Sequence, residues 1–462
     1  MKFGIKNLGP IKEANIELGD LTIVCGKNNT GKTYLTYALS TFLDTISKNL
    51  SIPLEKESID ELMQRGSIQI DMRKYIGAFL QAIQNVLPDF TGTLPHFLAM
   101  HPDRFKNTET QVDLTEDEIV TKLTQNQNIK INLSSELTSD CELKISRLGN
   151  SFEATISVLN KGKQFPQREI VDYGVTHSLA KFFSTSSLNP VLPESFIITC
   201  ERTGAALFRT ELIMSRELFA TNDSDTEARK KVIKQHEFRG YQRPVVKDLE
   251  FVVGLKNAII EKSFIPQNYD KIIEFFSEIV GGRYILDEDT NQVKFQPVGT
   301  KEALALTESS STVRSLMELN YYLKHKAKPS QIFVFDEPEL NLHPENQRNL
   351  ARLLAMLVNA GIKVFITTHS DYIIREFNTM IQLKQDKPHI AKIKAAEGYS
   401  DSELLDASRV RAYVAKRQDD GVIFDKAAIS QDDGMIISTL DDVIDRMNQI
   451  QDAIIWGGEE HA

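Results

Sequence analysis

The stretch that decides the fold is GKNNTGKTY, residues 26–34. Gly26, Gly31, Lys32 and Thr33 stand at the spacing G-x-x-x-x-G-K-[ST]. Before it runs LTIVC, residues 21–25, apolar and partly β-branched, as a buried strand requires. After it, Tyr34, Leu35, Ala38, Leu39, Phe42 and Leu43 recur at helical spacing. A strand, a Gly-rich loop and a helix start aim backbone N–H groups and a helix N-terminus at one point, which suits phosphate oxygens. The loop residues Gly26, Lys27, Asn28, Asn29, Thr30, Gly31, Lys32 and Thr33 are the expected nucleotide contacts. Lys32 is placed for the outer phosphates of ATP, and the Thr33 hydroxyl for Mg²⁺.

The other half of such a site lies far along the chain, in QIFVFDEPELNLHPENQ, residues 331–347. Ile332 to Phe335 form an apolar run that ends in Asp336 and Glu337. A carboxylate at the C-terminal end of a core strand can stand beside the loop Mg²⁺, which assigns Asp336 to the metal with Thr33. Glu337, one residue on, can polarise a water for attack on the γ-phosphate. Pro338 ends the strand, and His343-Pro344 opens a helix with Leu350, Leu353, Leu354 and Leu357 on its apolar stripe. IKVFITTHS, residues 362–370, is another buried-strand pattern with His369 at its end. His369 is therefore the second expected catalytic residue. Upstream, the serines before Val313, Leu316, Met317 and Leu323 predict a polar loop at a helix N-terminus, a second anion site.

The order of these four motifs resembles the ABC-type ATPase head of the RecF and SMC groups, and most closely the OLD-type and AAA15 ATPases. The resemblance covers roughly residues 1–45 and 275–380, with the strand near 195–204 included. It implies an α/β fold: a P-loop ABC-type head of two lobes around a mixed, largely parallel sheet, with an inserted α+β region and a helical arm. It implies ATP and Mg²⁺ as cofactors, and two heads meeting head to tail, or a higher oligomer. Ser310 and Ser311 would then be the signature serines that close the nucleotide held by a second copy. Two positions depart from the pattern: Asn29 in the loop, and Thr312 where a signature glycine is common. The segment CERTG, residues 200–204, occupies a place where such ATPases often carry a similar stretch, which makes Arg202 a candidate of undefined role.

On this reading the chain divides into a first ATPase lobe at 1–45, an α+β insertion at 46–190, and a strand plus helical arm with a basic patch at 191–274. A second lobe follows at 275–384, and a hairpin and helix at 385–462. In the insertion, residues 75–87 are helical by spacing, and stretches from Ile129, Glu142 and Phe152 alternate like strands. The arm carries Arg229, Lys230, Lys231, Lys234, Arg239, Arg243 and Lys247, which reads first as a solvated helix face and second as a nucleic-acid or acidic-protein surface. VRAYVAKRQDDGVIF predicts a hairpin with an Asp-Asp-Gly turn. Leu440, Val443, Ile444, Met447, Ile450 and Ile454 share one face of a final helix, and Asp441, Asp442 and Asp445 favour its dipole rather than a metal.

The bulk numbers set limits. The chain has 462 residues, and 54 Lys plus Arg against 64 Asp plus Glu leave a net charge of -10, so a whole-chain nucleic-acid footprint is not expected. Three cysteines, Cys25, Cys141 and Cys200, form neither a metal-ligand nor a disulfide pattern, which suits a cytoplasmic location. No apolar run is long enough for a membrane span. The segment after His369 lacks the acidic constellation of a Toprim nuclease, so nuclease chemistry is not expected here. A stand-alone head of this kind resembles the ATPase subunits of bacterial antiphage systems of the PARIS and Septu types. There the ATPase holds a separately encoded effector nuclease, Toprim-like or HNH-type. The alternative is a DNA-repair ATPase of the RecF type that binds DNA. A further alternative is a nuclease with a degenerate Toprim-like tail.

Overall fold

The computed structural model describes residues 1–124, 130–148, 151–160, 166–185, 191–214, 240–287 and 289–456. Three strands set the frame: β3 (Leu21–Gly26), β13 (Ile332–Asp336) and β14 (Lys363–Thr368). Each is a nearly unbroken apolar run because each lies in the middle of a sheet covered on both faces. They pair in parallel, with Val364 opposite Leu21 and Ile332 opposite Lys363. The loop after β3, the acidic pair after β13 and the histidine after β14 therefore emerge at the same edge, the usual ligand edge of a parallel sheet.

Among the described residues the central sheet has nine strands. Edge to edge they are β5 (Glu109–Asp113), β1 (Lys2–Leu8), β2 (Ile11–Glu17), β16 (Gly421–Lys426), β15 (Val410–Gln418), β3, β14, β13 and β9 (Ser195–Ile198). The fold is thus the expected mixed α/β sheet, with helices packed on it.

Two placements differ from the sequence reading. The hairpin β15–β16, assigned there to a C-terminal unit, lies inside the sheet between β2 and β3. Val410 opposes Leu21 in parallel, and β16 closes onto β2. The reason is visible in the residues: Val410, Ala412, Tyr413, Val414 and Ala415 are all buried, as a central strand demands. Likewise the insertion is not wholly separate, since its strand β5 pairs antiparallel with β1 at the sheet edge.

Among its described residues the insertion also has, beside its helices, a four-stranded antiparallel sheet, β4 (Ser67–Asp71), β8 (Glu153–Asn160), β7 (Cys141–Leu148) and β6 (Lys130–Thr138), in that order. Its helix Ile76–Phe97 runs on through Pro88, because Phe90 and Leu94 continue the buried stripe and hold the chain helical beyond the missing donor. Ahead of the serine-capped helix Ser311–Tyr321 stands a small sheet, β10 (Gly282–Asp287), β11 (Gln292–Pro297) and β12 (Leu304–Ala305). The sequence reading did not foresee it. A two-stranded ladder, β17 (Ile429–Ser430) with β18 (Gly434–Met435), precedes the last helix, Ser438–Trp456. On that helix Met447, Ile450 and Ile454 are exposed.

Of the basic patch, residues 229–239 fall outside the described residues. Lys247 lies on the helix Arg243–Val253, where it pairs with Asp44 of the loop helix Lys32–Asn49. Among the described residues no helix is long and apolar enough to cross a membrane.

Candidate functional site

The loop after β3 needs glycine at two points. Gly26 has φ +144°, and an added Cβ would lie 2.9 Å from Ala415 of β15. Gly31 has φ +87°, and a Cβ there would lie 2.8 Å from Ile11. Asn29 also takes a left-handed conformation, φ +61°, which asparagine tolerates better than most residues. This accounts for its place where the motif often has glycine.

Lys32 is only 4% exposed. Its ammonium donates to the Gly26 and Lys27 carbonyls at 3.2 and 3.1 Å. The hydroxyl of Thr30 ties back to the Lys27 carbonyl at 2.8 Å, and Arg417 of β15 donates to the Asn29 carbonyl at 3.0 Å. Burial holds the Lys32 pKa below its ordinary value, while Glu337, Asp336 and Glu339 pull it back up. The loop cation and the strand-end acids therefore share one electrostatic site.

The two adjacent acids differ in character. Asp336 is fully buried, and burial pushes its pKa up to about 6. The Thr367 hydroxyl donates to its Oδ1, while Oδ2 is buried without a hydrogen-bond partner. Such an orphan oxygen is costly unless something cationic meets it. Glu337 is half-buried, and its carboxylate lies 3.1 Å from His369 Nε2. That contact, working against burial, holds Glu337 below the usual carboxylate range. Glu337 is thus ionised at neutral pH and available as a base. Its backbone is left-handed, φ +47°, and its N–H donates to Thr367 Oγ1 at 3.0 Å.

Glu339 completes this group, accepting the His369 backbone N–H at 2.6 Å. Burial raises its pKa. The sequence reading missed Glu339, Thr367 and Arg417. The first two stand within the motifs already singled out, so the signal was there, whereas Arg417 depends on where the hairpin packs.

The residues fit ATP and Mg²⁺. The unpartnered Asp336 oxygen and the Thr33 hydroxyl could hold the metal, and Lys32, now spending its protons on loop carbonyls, could turn to phosphates.

Ser310 and Ser311 are exposed. Ser310 caps the helix Ser311–Tyr321 by accepting the Val313 N–H at 3.3 Å. Thr312, in place of a signature glycine, donates to the Asn341 carbonyl at 2.8 Å, fixing this helix start to the turn after Glu337. Lys32, Asp336, Glu337 and His369 are brought together, then, while the serines keep local contacts and face outward.

The chain is similar to SMC heads of known structure. The SMC head bound to the C-terminal winged-helix domain of ScpA is 13% identical, over 92% of this chain and 97% of that one, with a TM-score of 0.35. The SMC head with an extended coiled coil bound to the C-terminal domain of ScpA from Pyrococcus furiosus is 13% identical, over 97% and 98%, at 0.34. The SMC head domain from Thermotoga maritima is 11% identical, over 93% and 98%, at 0.32. These superpositions are loose, and the fold rests on the sheet order given above. No curated protein matches the sequence. The model of the AAA ATPase domain, by contrast, matches residues 1–374, most of the 462. With the phosphate loop, the acidic pair and the strand-end histidine gathered at one sheet edge, the chain belongs to this AAA ATPase domain family, of the AAA15 type.

Proposed function

We propose that this chain hydrolyses ATP, pairs head to tail with a second copy, and holds a separately encoded effector nuclease in bacterial antiphage defence. The observation that carries the catalytic part is the Glu337–His369 contact of 3.1 Å at the sheet edge that also bears Lys32. Bound Mg²⁺ would supply charge neutralisation at the outer phosphates, with Thr33 and Asp336 as its side-chain ligands. Lys32 binds the same phosphates by charge-assisted hydrogen bonds. Glu337, kept ionised by His369, accepts a proton from the attacking water. His369 is in turn placed by Glu339 through its backbone N–H.

The exposed signature serines support pairing. Among the described residues they have only local partners, yet they begin a helix, and a helix start favours phosphate. The effector part rests on the motif set and on the folded additions outside the nucleotide site. Lys247 is engaged by Asp44, which removes one cation from the surface the DNA-repair reading needs.

Purification of the tagged chain from its native cells tests this reading. A nuclease subunit should copurify, and charge reversal at exposed insertion residues should release it without loss of ATPase activity. Copurification of DNA with no protein partner overturns the effector reading in favour of the RecF-type one.

A further inference from the structure

Arg202 is fully buried, begins a short helix, and spends its guanidinium on three elements. Nη1 donates to the Thr199 and Asp336 carbonyls at 3.0 and 2.9 Å, and Nη2 donates to the Glu337 carbonyl at 2.7 Å. Nε donates to Ser315 Oγ of the signature helix at 3.0 Å. The guanidinium lies over the Phe335 ring, 4.8 Å from its centre. The buried carboxyls Glu318, Asp336 and Asp248 lie around it, and burial raises the pKa of each. Glu318 also lies on the signature helix, and Asp248 accepts the Thr199 N–H at 2.9 Å.

The Glu337 peptide is the strained point of the site. A left-handed glutamate is strained and persists only where its surroundings hold it. Its N–H is held by Thr367 and its carbonyl by Arg202. The same Arg202 reaches Ser315, whose hydroxyl donates to the Leu340 carbonyl at 3.0 Å, in the turn that follows Glu337. A second bridge runs beside it, since Asn341 Nδ2 donates to Thr203 Oγ1 at 3.1 Å. A buried guanidinium is costly to place, so the acceptors it meets define one arrangement of these elements.

From this we infer that Arg202 is a positioning residue: it clamps the left-handed Glu337 peptide and couples the aim of that carboxylate to the signature helix through Ser315. Whatever seats against the N-terminus of the signature helix thereby bears on the glutamate at the end of β13. The inference rests on Glu337 being the base, as proposed above.

The test uses the full chain with Arg202→Lys and Ser315→Ala, each checked for folding by circular dichroism. Affinity is measured with a non-hydrolysable ATP analogue and kcat by steady-state turnover. A lysine cannot reach all four acceptors, so Arg202→Lys should lower kcat by about a hundredfold, as expected for a misplaced catalytic group. Ser315→Ala should lower it several-fold. In both, analogue affinity should stay within about twofold, the split expected when only transition-state interactions are lost. Parental kcat in the folded variants, or a loss of affinity equal to the loss of kcat, overturns the inference. Should Arg202→Lys not fold, Ser315→Ala decides alone. Glu337→Gln is measured alongside: if it turns over at the parental rate, the assignment of the base fails; if it is inactive while both variants are unimpaired, the coupling fails.

Discussion

Two anion-seeking stretches of this chain stand in opposite conditions. The lysine of the phosphate loop is enclosed, although Lys27, Asn28 and Asn29 at the loop's crest are exposed: Lys32 is 4% exposed, and Asp336, Glu337 and Glu339 raise its pKa from the neighbouring strand end, with His369 against Glu337. The signature serines are open, with Ser310 engaged in its own helix cap and Ser311 at the surface. Both are helix starts, yet only one is furnished with a complete set of charges by its own chain. On the proposed head-to-tail pairing, a single copy carries a binding and base half-site and presents the second half outward.

The largest effect should come from the enclosed half. Glu337→Gln keeps the shape and loses the base, so kcat should fall by roughly 10²–10⁴ while ATP still binds. Single-turnover hydrolysis beside equilibrium binding checks this; parental turnover would remove Glu337 from the chemistry. Lys32→Ala should instead strike binding, weakening ATP by roughly a hundredfold, the range for losing a charged hydrogen bond. Calorimetry reads it directly, and unchanged affinity would show that the loop is furnished by other groups. His369→Ala removes a partner of the base and not the base itself, so a loss in kcat of roughly tenfold is expected, smaller than for a lost oxyanion donor.

The smallest effect sharpens where the enclosed half ends. Glu17 of β2 is paired with Arg411 of β15 and Lys426 of β16, tying the hairpin to the N-terminal strands. Burial alone would raise its pKa, but these two cations bring it down to about 2 from 4.5. A depressed carboxylate stabilises the fold above its unfolded pKa, and that contribution is lost as pH falls through the folded one. Glu17→Gln should therefore cost about 1 kcal/mol at neutral pH, discounted for partial exposure, and progressively less below pH 4.5. Urea unfolding of both proteins at pH 7 and pH 3 measures the gap; a gap that widens on acidification contradicts the pairing.

Much of the enclosed half was legible because its signals are local. LTIVC, IFVFD and KVFITT announce buried parallel strands, and the candidate residues Asp336, Glu337 and His369 stand at or just past strand ends, with Lys32 at the start of the helix after β3. Ser310 as a cap is equally local. What stayed hidden is non-local. Nothing in VRAYVA says that it pairs with β3, or that Ala415 is the reason Gly26 must lack a side chain. Strand β5, ETQVD, buries only Val112 and carries almost no apolar pattern to betray it. Arg202 could be noticed but not explained, because its role is written in carbonyls of Asp336 and Glu337, far along the chain.

The central claim is that each site is finished by a second copy, and mixing two inactive variants tests it most directly. Lys32→Ala retains intact signature serines, while the double variant Ser310→Ala, Ser311→Ala retains an intact loop. Head-to-tail pairing makes one whole site in every mixed pair, so an equimolar mixture should recover about a quarter of parental ATP turnover. A mixture as inactive as its components, or a serine variant that is fully active alone, would contradict the account.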